Sequence, residues 1–541
     1  MKGWRARLTG AALMALTASG APMVARAQPT AAAEADRQQV VQGLQAQYEV
    51  ALIRERKMAD DRETQLIGAL EARLKAARAQ ADAAKGSAAA ANAQLAAARA
   101  EYDKLAGQIA SRDPSTQADV AAHQSQSEAV AAQASPEKLA ALQRFVDGDR
   151  VGAWPQIQAL TDAELSAPGV TVAKQAADAR ELADLRDNMR AHGEATTADV
   201  LALYDKAAAL DPSDFKTEIA RARLAHDLGD LSRARAASEQ AGKVAATDRE
   251  RAVALDMIGE QAADQHDYAT AGPDYDQAID IFRRIVASDP TAVAQASLGG
   301  ALQDKGDLQV LEGDFTSARA TYSEALTIRQ QVAAAHPNVA GLQDEVTSVM
   351  QRLGDLYEKT GDLAGAKGAF EDGLAIRQRL LAADPTNTDL QYYVSAFMRR
   401  LGDIALLQND LTTARAQYEA CLAIRQRLSA ANPSSAQLQN AVALDLEDLA
   451  GVAYDQNDVT TARTDYEASL AIRQRLAAAD PTNAALQQLI LRAMARLAKT
   501  GGGSVGWREV AVQYAKIKAA GELVPGDEKV QAALKAHHLA D

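Results

Sequence analysis

One cysteine, Cys421, stands in a chain of 541 residues, so no disulfide can close within it and no thiolate cluster can hold a metal. Aromatic residues are equally sparse, at 4% against 48% hydrophobic. A core with so few rings must be built from Ala, Leu, Val and Ile, which suits closely approaching helices better than an aromatic-rich β-sandwich. With 14 Pro and 33 Gly, the chain is neither collagen-like nor a Pro/Gly low-complexity polymer. Its seven histidines show no HExxH or other metal-ligand spacing, and no metal or other cofactor is expected. Basic residues are outnumbered 58 to 72, for a net charge of −14, which argues against nucleic acid or an anionic membrane surface as the main partner.

The amino terminus reads as an address. Lys2, Arg5 and Arg7 precede an apolar stretch from Leu8 to Val24, and Ala25-Arg26-Ala27 supplies a small-x-small cleavage pattern. A signal peptide over residues 1–27 is expected, with the mature chain starting near Gln28, exported to the periplasm or secreted. Removing four basic residues and no acid takes the charge from −14 to −18. Beyond residue 27 no apolar run reaches the roughly 18 residues that span a bilayer, so no integral membrane span is expected after cleavage.

Residues 35–112 carry a heptad-like seam: Leu74, Ala77, Ala81, Ala84, Ala88, Ala91, Leu95, Ala98, Tyr102, Leu105 and Ile109 recur at alternating steps of three and four. Lys85-Gly86-Ser87 is a candidate reversal, since Gly costs about 1 kcal/mol inside a helix. Either a folded-back helical hairpin or a coiled coil joining copies into a homo-oligomer fits. Asp113-Pro114 ends the run, and 113–135 is a polar linker. Residues 136–197 read as divergent helical hairpins.

Repetition is the strongest signal. Tyr322, Phe370, Tyr418 and Tyr466 are spaced by 48 residues, as are Asp314, Asp362, Asp410 and Asp458, then Pro337, Pro385, Pro433 and Pro481. A fixed period of this size means stacked units, each burying its apolar face on its neighbours. Leu390, Val394, Leu401 and Ile404 follow helical spacing, Asn409-Asp410 breaks the chain, and Ala414, Tyr418 and Leu422 resume it. Each unit is a helical hairpin, and the fold class is an all-α solenoid.

These residues resemble the tetratricopeptide repeat (TPR): Leu353-Gly354, Tyr357, Gly361-Asp362, Ala366 and Phe370 match its pattern in register, with Gly373 at its second Ala position. Earlier units, Ala222, Gly229-Asp230 and Ala234, then Gly259, Asp267, Ala271 and Tyr275, keep the frame, and the resemblance covers 198–500. Later units are longer by about 14 residues, roughly four helical turns shared between two helices. In this they look like the kinesin-light-chain-like subgroup of bacterial scaffolds. The resemblance implies a concave groove lined by the first helix of each unit. Carried over position by position, its groove residues are Ser348, Ala396, Leu444 and Arg492, then Gln351, Arg399 and Glu447, then Asp355 and Asp403, and finally Glu358, Leu406 and Tyr454.

Arg329, Arg377, Arg425 and Arg473, with Arg379, Arg427 and Arg475, form a ladder on the second helices, either a track for an acidic ligand or ion pairing between repeats. Cys421 occupies a small packing site. Gly502-Gly503-Ser504-Val505-Gly506 satisfies G-x-S-x-G, and 501–506 satisfies G-x-G-x-x-G, but each needs a preceding strand and no βαβ pattern exists. No catalytic residues are assigned, and 501–506 is read as a Gly linker before two capping helices in 507–541. The expected function is a non-catalytic scaffold of the bacterial cell envelope that holds a protein or peptide in its groove. The alternative is an accessory or regulatory subunit of an envelope machine, similar in domain order to the coiled-coil-plus-TPR partner of the Tol system.

Overall fold

The computed structural model describes residues 31–55, 69–78, 89–110, 134–336, 340–480, 483–521 and 527–539, with isolated positions 67, 128, 131, 523 and 524 between them. The signal segment, the Lys85-Gly86-Ser87 reversal, most of the 113–135 linker, Pro337, Pro481 and Pro525 lie outside the described residues. Among those described, the regular elements are all helices: α1 (Ala31–Glu55), α2 (Ala89–Ala110), α3 (Pro136–Val146), α4 (Arg150–Leu165), α5 (Val172–Ala191) and α6 (Thr197–Leu210). Next come α7 (Phe215–Asp227), α8 (Leu231–Val244), α9 (Asp248–Asp264), α10 (Tyr268–Ser288), α11 (Ala292–Glu312), α12 (Phe315–Ala335), α13 (Ala340–Lys359) and α14 (Leu363–Ala383). The series ends with α15 (Thr388–Leu407), α16 (Leu411–Ala431), α17 (Ala436–Asp455), α18 (Val459–Ala479), α19 (Ala484–Thr500), α20 (Trp507–Ala519) and α21 (Glu528–Ala536). None is long and apolar enough to cross a membrane among the described residues.

At its described residues the amino-terminal seam is covered from within the chain. Leu74 and Ala77 of the helical stretch 69–78 pack on Leu95 and Ala98 of α2, while Ala46 and Val50 of α1 pack with Leu70, Tyr102 and Ile109. Val40 and Leu44 continue into the core of α3–α6 with Leu142, Phe145 and Leu201. Polar clamps reinforce the junction. Asp147, at the carboxyl end of α3, takes Arg78 at 3.0 Å and also pairs with Arg99. Asn188 Nδ2 donates to the Gln47 carbonyl at 2.9 Å.

From α7 onward the chain is a row of hairpins. α7 and α8 have 13 and 14 residues, whereas α11 to α18 have 20 or 21, so the longer period adds about two turns to each helix. Each hairpin turn is built the same way: a left-handed residue (Gly229, His266, Gly313, Gly361, Asn409, Asn457) precedes an Asp whose carboxylate caps the second helix. At Gly402 a Cβ would stand 2.6 Å from the Tyr418 ring, so only Gly lets the first helix lie against the aromatic of its own hairpin. In the last full hairpin Ala450 takes this place, and Tyr466 is correspondingly a little more exposed, 7% against 1% for Tyr418.

The arginine ladder divides in two. Arg329, Arg377, Arg425 and Arg473 are buried; Arg329 and Arg425 pair across the joint with the first helix of the next hairpin, at Glu345 (3.4 Å) and Asp445 (2.7 Å), whereas Arg377 and Arg473 pair with Asp344 and Glu447 on the first helix of their own hairpin. Burial pulls the guanidinium pKa of Arg329, Arg377 and Arg473 below its usual range. Arg379, Arg427 and Arg475, two residues on, are exposed. Cys421 is wholly buried, its thiol 3.3 Å from Asp445 Oδ2, and burial pushes its pKa well up.

At the carboxyl end α20 and α21 close over α19 through Leu491, Val510, Tyr514, Ile517 and Leu534. His537 stacks on Trp507 with ring centroids 4.7 Å apart.

Candidate functional site

The first helices α9, α11, α13, α15, α17 and α19 occupy equivalent places in successive hairpins, and polar side chains join them directly. Arg352 on α13 holds Asp307 on α11 at 2.8 Å. Arg400 on α15 pairs with Asp355 on α13 and reaches Glu358 at 3.7 Å. Arg399 on α15 holds Asp448 on α17 at 2.7 Å, and Arg496 on α19 holds Glu447 at 2.6 Å. Tyr322 donates to Asp307, and Tyr418 donates to Asp403 at 2.8 Å. The face of first helices is therefore laced by a chain of arginine–carboxylate pairs from one hairpin to the next. Burial raises the Asp355 and Asp448 pKa values, and the facing arginines, Arg400 and Arg399 respectively, partly offset this.

The residues predicted from spacing fall on this face but differ in availability. Gln351 is exposed, while Ser348, Leu406, Leu444 and Tyr454 are half-buried. Ser348 Oγ accepts from Arg352 at 3.0 Å, and Tyr454 lies under the Lys499 ammonium, 5.1 Å from the ring centroid. Arg492 reaches toward Asp527 beside α21, at 3.8 Å. Asp355, Glu358, Arg399 and Asp403 are engaged in the pairs above. Glu447 departs furthest from the expectation of a ligand-facing side chain: it is buried, 4% exposed, between Arg473, Arg496 and Ser469 Oγ at 3.1 Å. Replacing Arg399, Glu447 and Tyr454 together would thus break three inter-repeat contacts, with Asp448, Arg496 and Lys499, as well as alter the face.

Spacing arguments missed Arg352, Arg400, Asp448 and Arg496, two residues before the Gly position of each unit. Their signal was present: with Asp304 they recur every 48 residues, and their charge changes sign as the core residues do not.

Residues 501–506 follow the helix α19 rather than a strand. Arg463 of α18 donates to the Gly501 carbonyl, and the Ser504 amide donates to Glu467 at 2.9 Å, so the loop is tied to the preceding hairpin.

The tetratricopeptide repeat family model matches residues 346–386 and 446–481. No curated protein matches the sequence. Among solved structures, BtubC (BKLC) from P. vanneervenii is similar at 23% identity, covering 48% of this chain and 89% of that one, with a TM-score of 0.32. A STAND ATPase with a tetratricopeptide repeat sensor from Pyrococcus horikoshii is similar at 12% identity over 74% of this chain and 56% of its own, TM-score 0.45. A tetratricopeptide repeat protein from Parabacteroides merdae is similar at 18% identity over 58% of this chain and all of its own, TM-score 0.36. The family match and the shared register of Gly, aromatic ring and capping Asp, rather than these distant likenesses, identify these hairpins as tetratricopeptide repeats.

Proposed function

We propose that the protein is a non-catalytic scaffold of the cell envelope that binds a protein or peptide along the face of its first helices. Solenoids of this kind offer extended surfaces to protein partners. The observation that carries the reading is a contrast between core and face. The Gly–aromatic contact, the capping Asp and the buried Arg recur with little change from hairpin to hairpin, whereas Ser348, Ala396, Leu444 and Arg492, at one equivalent position, range from a hydroxyl through two aliphatics of different size to a guanidinium. Packing holds the core constant, and the face is free to suit a ligand. Export rests on the sequence of residues 1–27.

Site-specific photo-crosslinking in the native organism tests this. A crosslinker placed at Gln351 or Tyr454 should trap the same discrete partner, and one at Arg379 or Arg427, exposed on the second helices, should not. Equal adducts from both sets would reject the first-helix face as the binding surface.

A further inference from the structure

One joint between hairpins has no apolar core of its own among the described residues. At each later joint large side chains from both sides share a cluster: Phe282 and Leu298 where α10 meets α11, Val332 and Val346 at α12–α13, Phe370 and Phe397 at α14–α15, Tyr418 and Leu449 at α16–α17, and Leu470 and Ile490 at α18–α19. Where α8 meets α9, the cluster on the amino-terminal side stops at Ala234 and the next begins at Ala252. The side chains buried on α8 are Ala234, Ala237, Ser238 and Ala241, and those on α9 are Ala252, Ala254, Gln261 and Ala262. Methyl groups remove little apolar surface from water, so this joint gains less from packing than its neighbours.

Polar contacts hold it instead. Gln261 Nε2 donates to Ser238 Oγ at 3.0 Å in the buried centre of the joint, and Gln261 Oε1 is sealed from solvent and accepts nothing. Arg235 of α8 stands 3.5 Å from Asp267, which starts α10. The third contact joins first helices: His226 Nε2 on α7 lies 2.7 Å from Asp264 Oδ2 on α9. The four later first-helix contacts set an arginine against a carboxylate, through Arg352, Arg400, Arg399 and Arg496. A guanidinium stays charged throughout the physiological range, whereas an imidazole does not.

We propose that the α8–α9 joint is a hinge of the solenoid and that a proton on His226 fastens it. With the proton, the imidazolium attracts Asp264 and Glu260 of α9. Without it, Asp227, the next residue on α7, acts on those carboxylates with no cation between them, and attraction across the joint turns to repulsion. Ser238, Gln261, Arg235 and Asp267 then serve as the pivot. Because α9 is the first of the helices that carry the charged face, the hinge governs how the amino-terminal body sits at the start of that face.

The electrostatics agree. Burial by itself lowers the His226 pKa, but the hydrogen bond with Asp264 and the charges of Glu260, Asp264 and Asp227 outweigh it and hold the imidazole above its usual value. Burial raises Glu260, with His226 opposing and Asp264 and Asp227 adding to the rise. Among the other charges on elements packed against α7, Arg223, one turn before His226, lies 3.5 Å from Asp187 of α5. Asp205 of α6 holds Arg221 at 2.9 Å and also pairs with Arg233, and Asp230 caps α8. Since the folded-state value is raised, the fastening is complete below about pH 6.5 and is lost as pH rises through the folded-state value.

Double electron–electron resonance on the full chain reads the joint. In a Cys421→Ala background, spin labels at Ala236→Cys and Gln277→Cys occupy exposed positions on α8 and α10. Their distance distribution should be about twofold broader or more at about pH 8 than at about pH 5. His226→Arg, which installs the permanent cation of the later joints, should keep the narrow distribution at both pH values, and His226→Asn should be broad already at about pH 5. Labels at Thr327→Cys and Ala375→Cys, exposed on α12 and α14 across a joint with an apolar core, should change by less than about 1.2-fold. Circular dichroism checks that each variant is folded. A parent distribution indifferent to pH, a folded His226→Arg that still broadens, a His226→Asn as narrow as the parent at about pH 5, or equal broadening across α12–α13 would each overturn the hinge. No partner protein takes part in this measurement, so the hinge and the scaffold reading can fail separately.

Discussion

Replacing Asp445 by Ala tests how the joints between hairpins are held. Asp445 is fully buried, and its Oδ1 accepts from Arg425 Nη1 at 2.7 Å, with the Arg425 side chain only 5% exposed. Arg425 keeps two other contacts, Ser395 Oγ at 3.0 Å and the Tyr392 ring at 5.4 Å from its centroid. Neither neutralises its charge. Breaking a buried pair by removing one partner costs about 3–5 kcal/mol because the remaining ion stays desolvated. The surviving contacts of Arg425 place Asp445→Ala near the lower figure, about 3 kcal/mol. Urea titration by circular dichroism gives the size of the loss, and hydrogen exchange should locate it in α15–α18, since each hairpin contacts only its neighbours. The double variant Arg425→Met/Asp445→Leu removes both charges and should return to within about 1 kcal/mol of the parent. The pH profile supplies a further check. Burial raises the Asp445 carboxyl to about 6, with Arg425 pulling the other way, so the folded state holds this proton more tightly than the unfolded chain does. Its contribution to stability therefore falls as pH rises from about 4 to about 6, and this segment of the profile should vanish in Asp445→Ala. A loss below about 1 kcal/mol, or a double variant no better than the single one, would refute the reasoning.

Leu401, packed with Phe370 of the preceding hairpin and Ile404, should tolerate no charge: Leu401→Asp should cost several kcal/mol in thermal or urea unfolding, and exposed Gln408→Asp about 0.5 kcal/mol or less. Gly402→Ala should cost about 1–3 kcal/mol, measured the same way, because its Cβ meets the Tyr418 ring. Asp304→Asn should melt higher than the parent at about pH 8 and equally at about pH 4, since a carboxyl raised to about 7 loses its stabilising proton between those limits. Export predicts a mature amino terminus near Gln28 in envelope or extracellular fractions, and an intact chain from Met1 in the cytoplasm would contradict it.

Period and register were legible because packing imposes them. Gly354 against Phe370, Asp362 at a helix start and Leu401 in the core each have one acceptable chemistry, so the same residue returns every 48 positions and needs no coordinates to be noticed. The lengthening of the later helices also followed from counting. The binding face was legible only as a set of positions. Spacing placed Glu447 and Gln351 at the same offset, yet one is buried between two arginines and the other is exposed.

By itself the sequence determined that this chain is an α-solenoid of tetratricopeptide repeats, since helical periodicity and nearest-neighbour stacking are local properties written into each unit. Tertiary structure decided which charges meet. Arg329 and Arg425 find their carboxylates on the next hairpin, whereas Arg377 and Arg473 find theirs on the first helix of their own. These pairs lie 16 to 33 residues apart in the chain and depend on the angles at which helices seat on each other, within a hairpin and from one hairpin to the next. Those angles are set by the packed joint as a whole, so no window of sequence contains them.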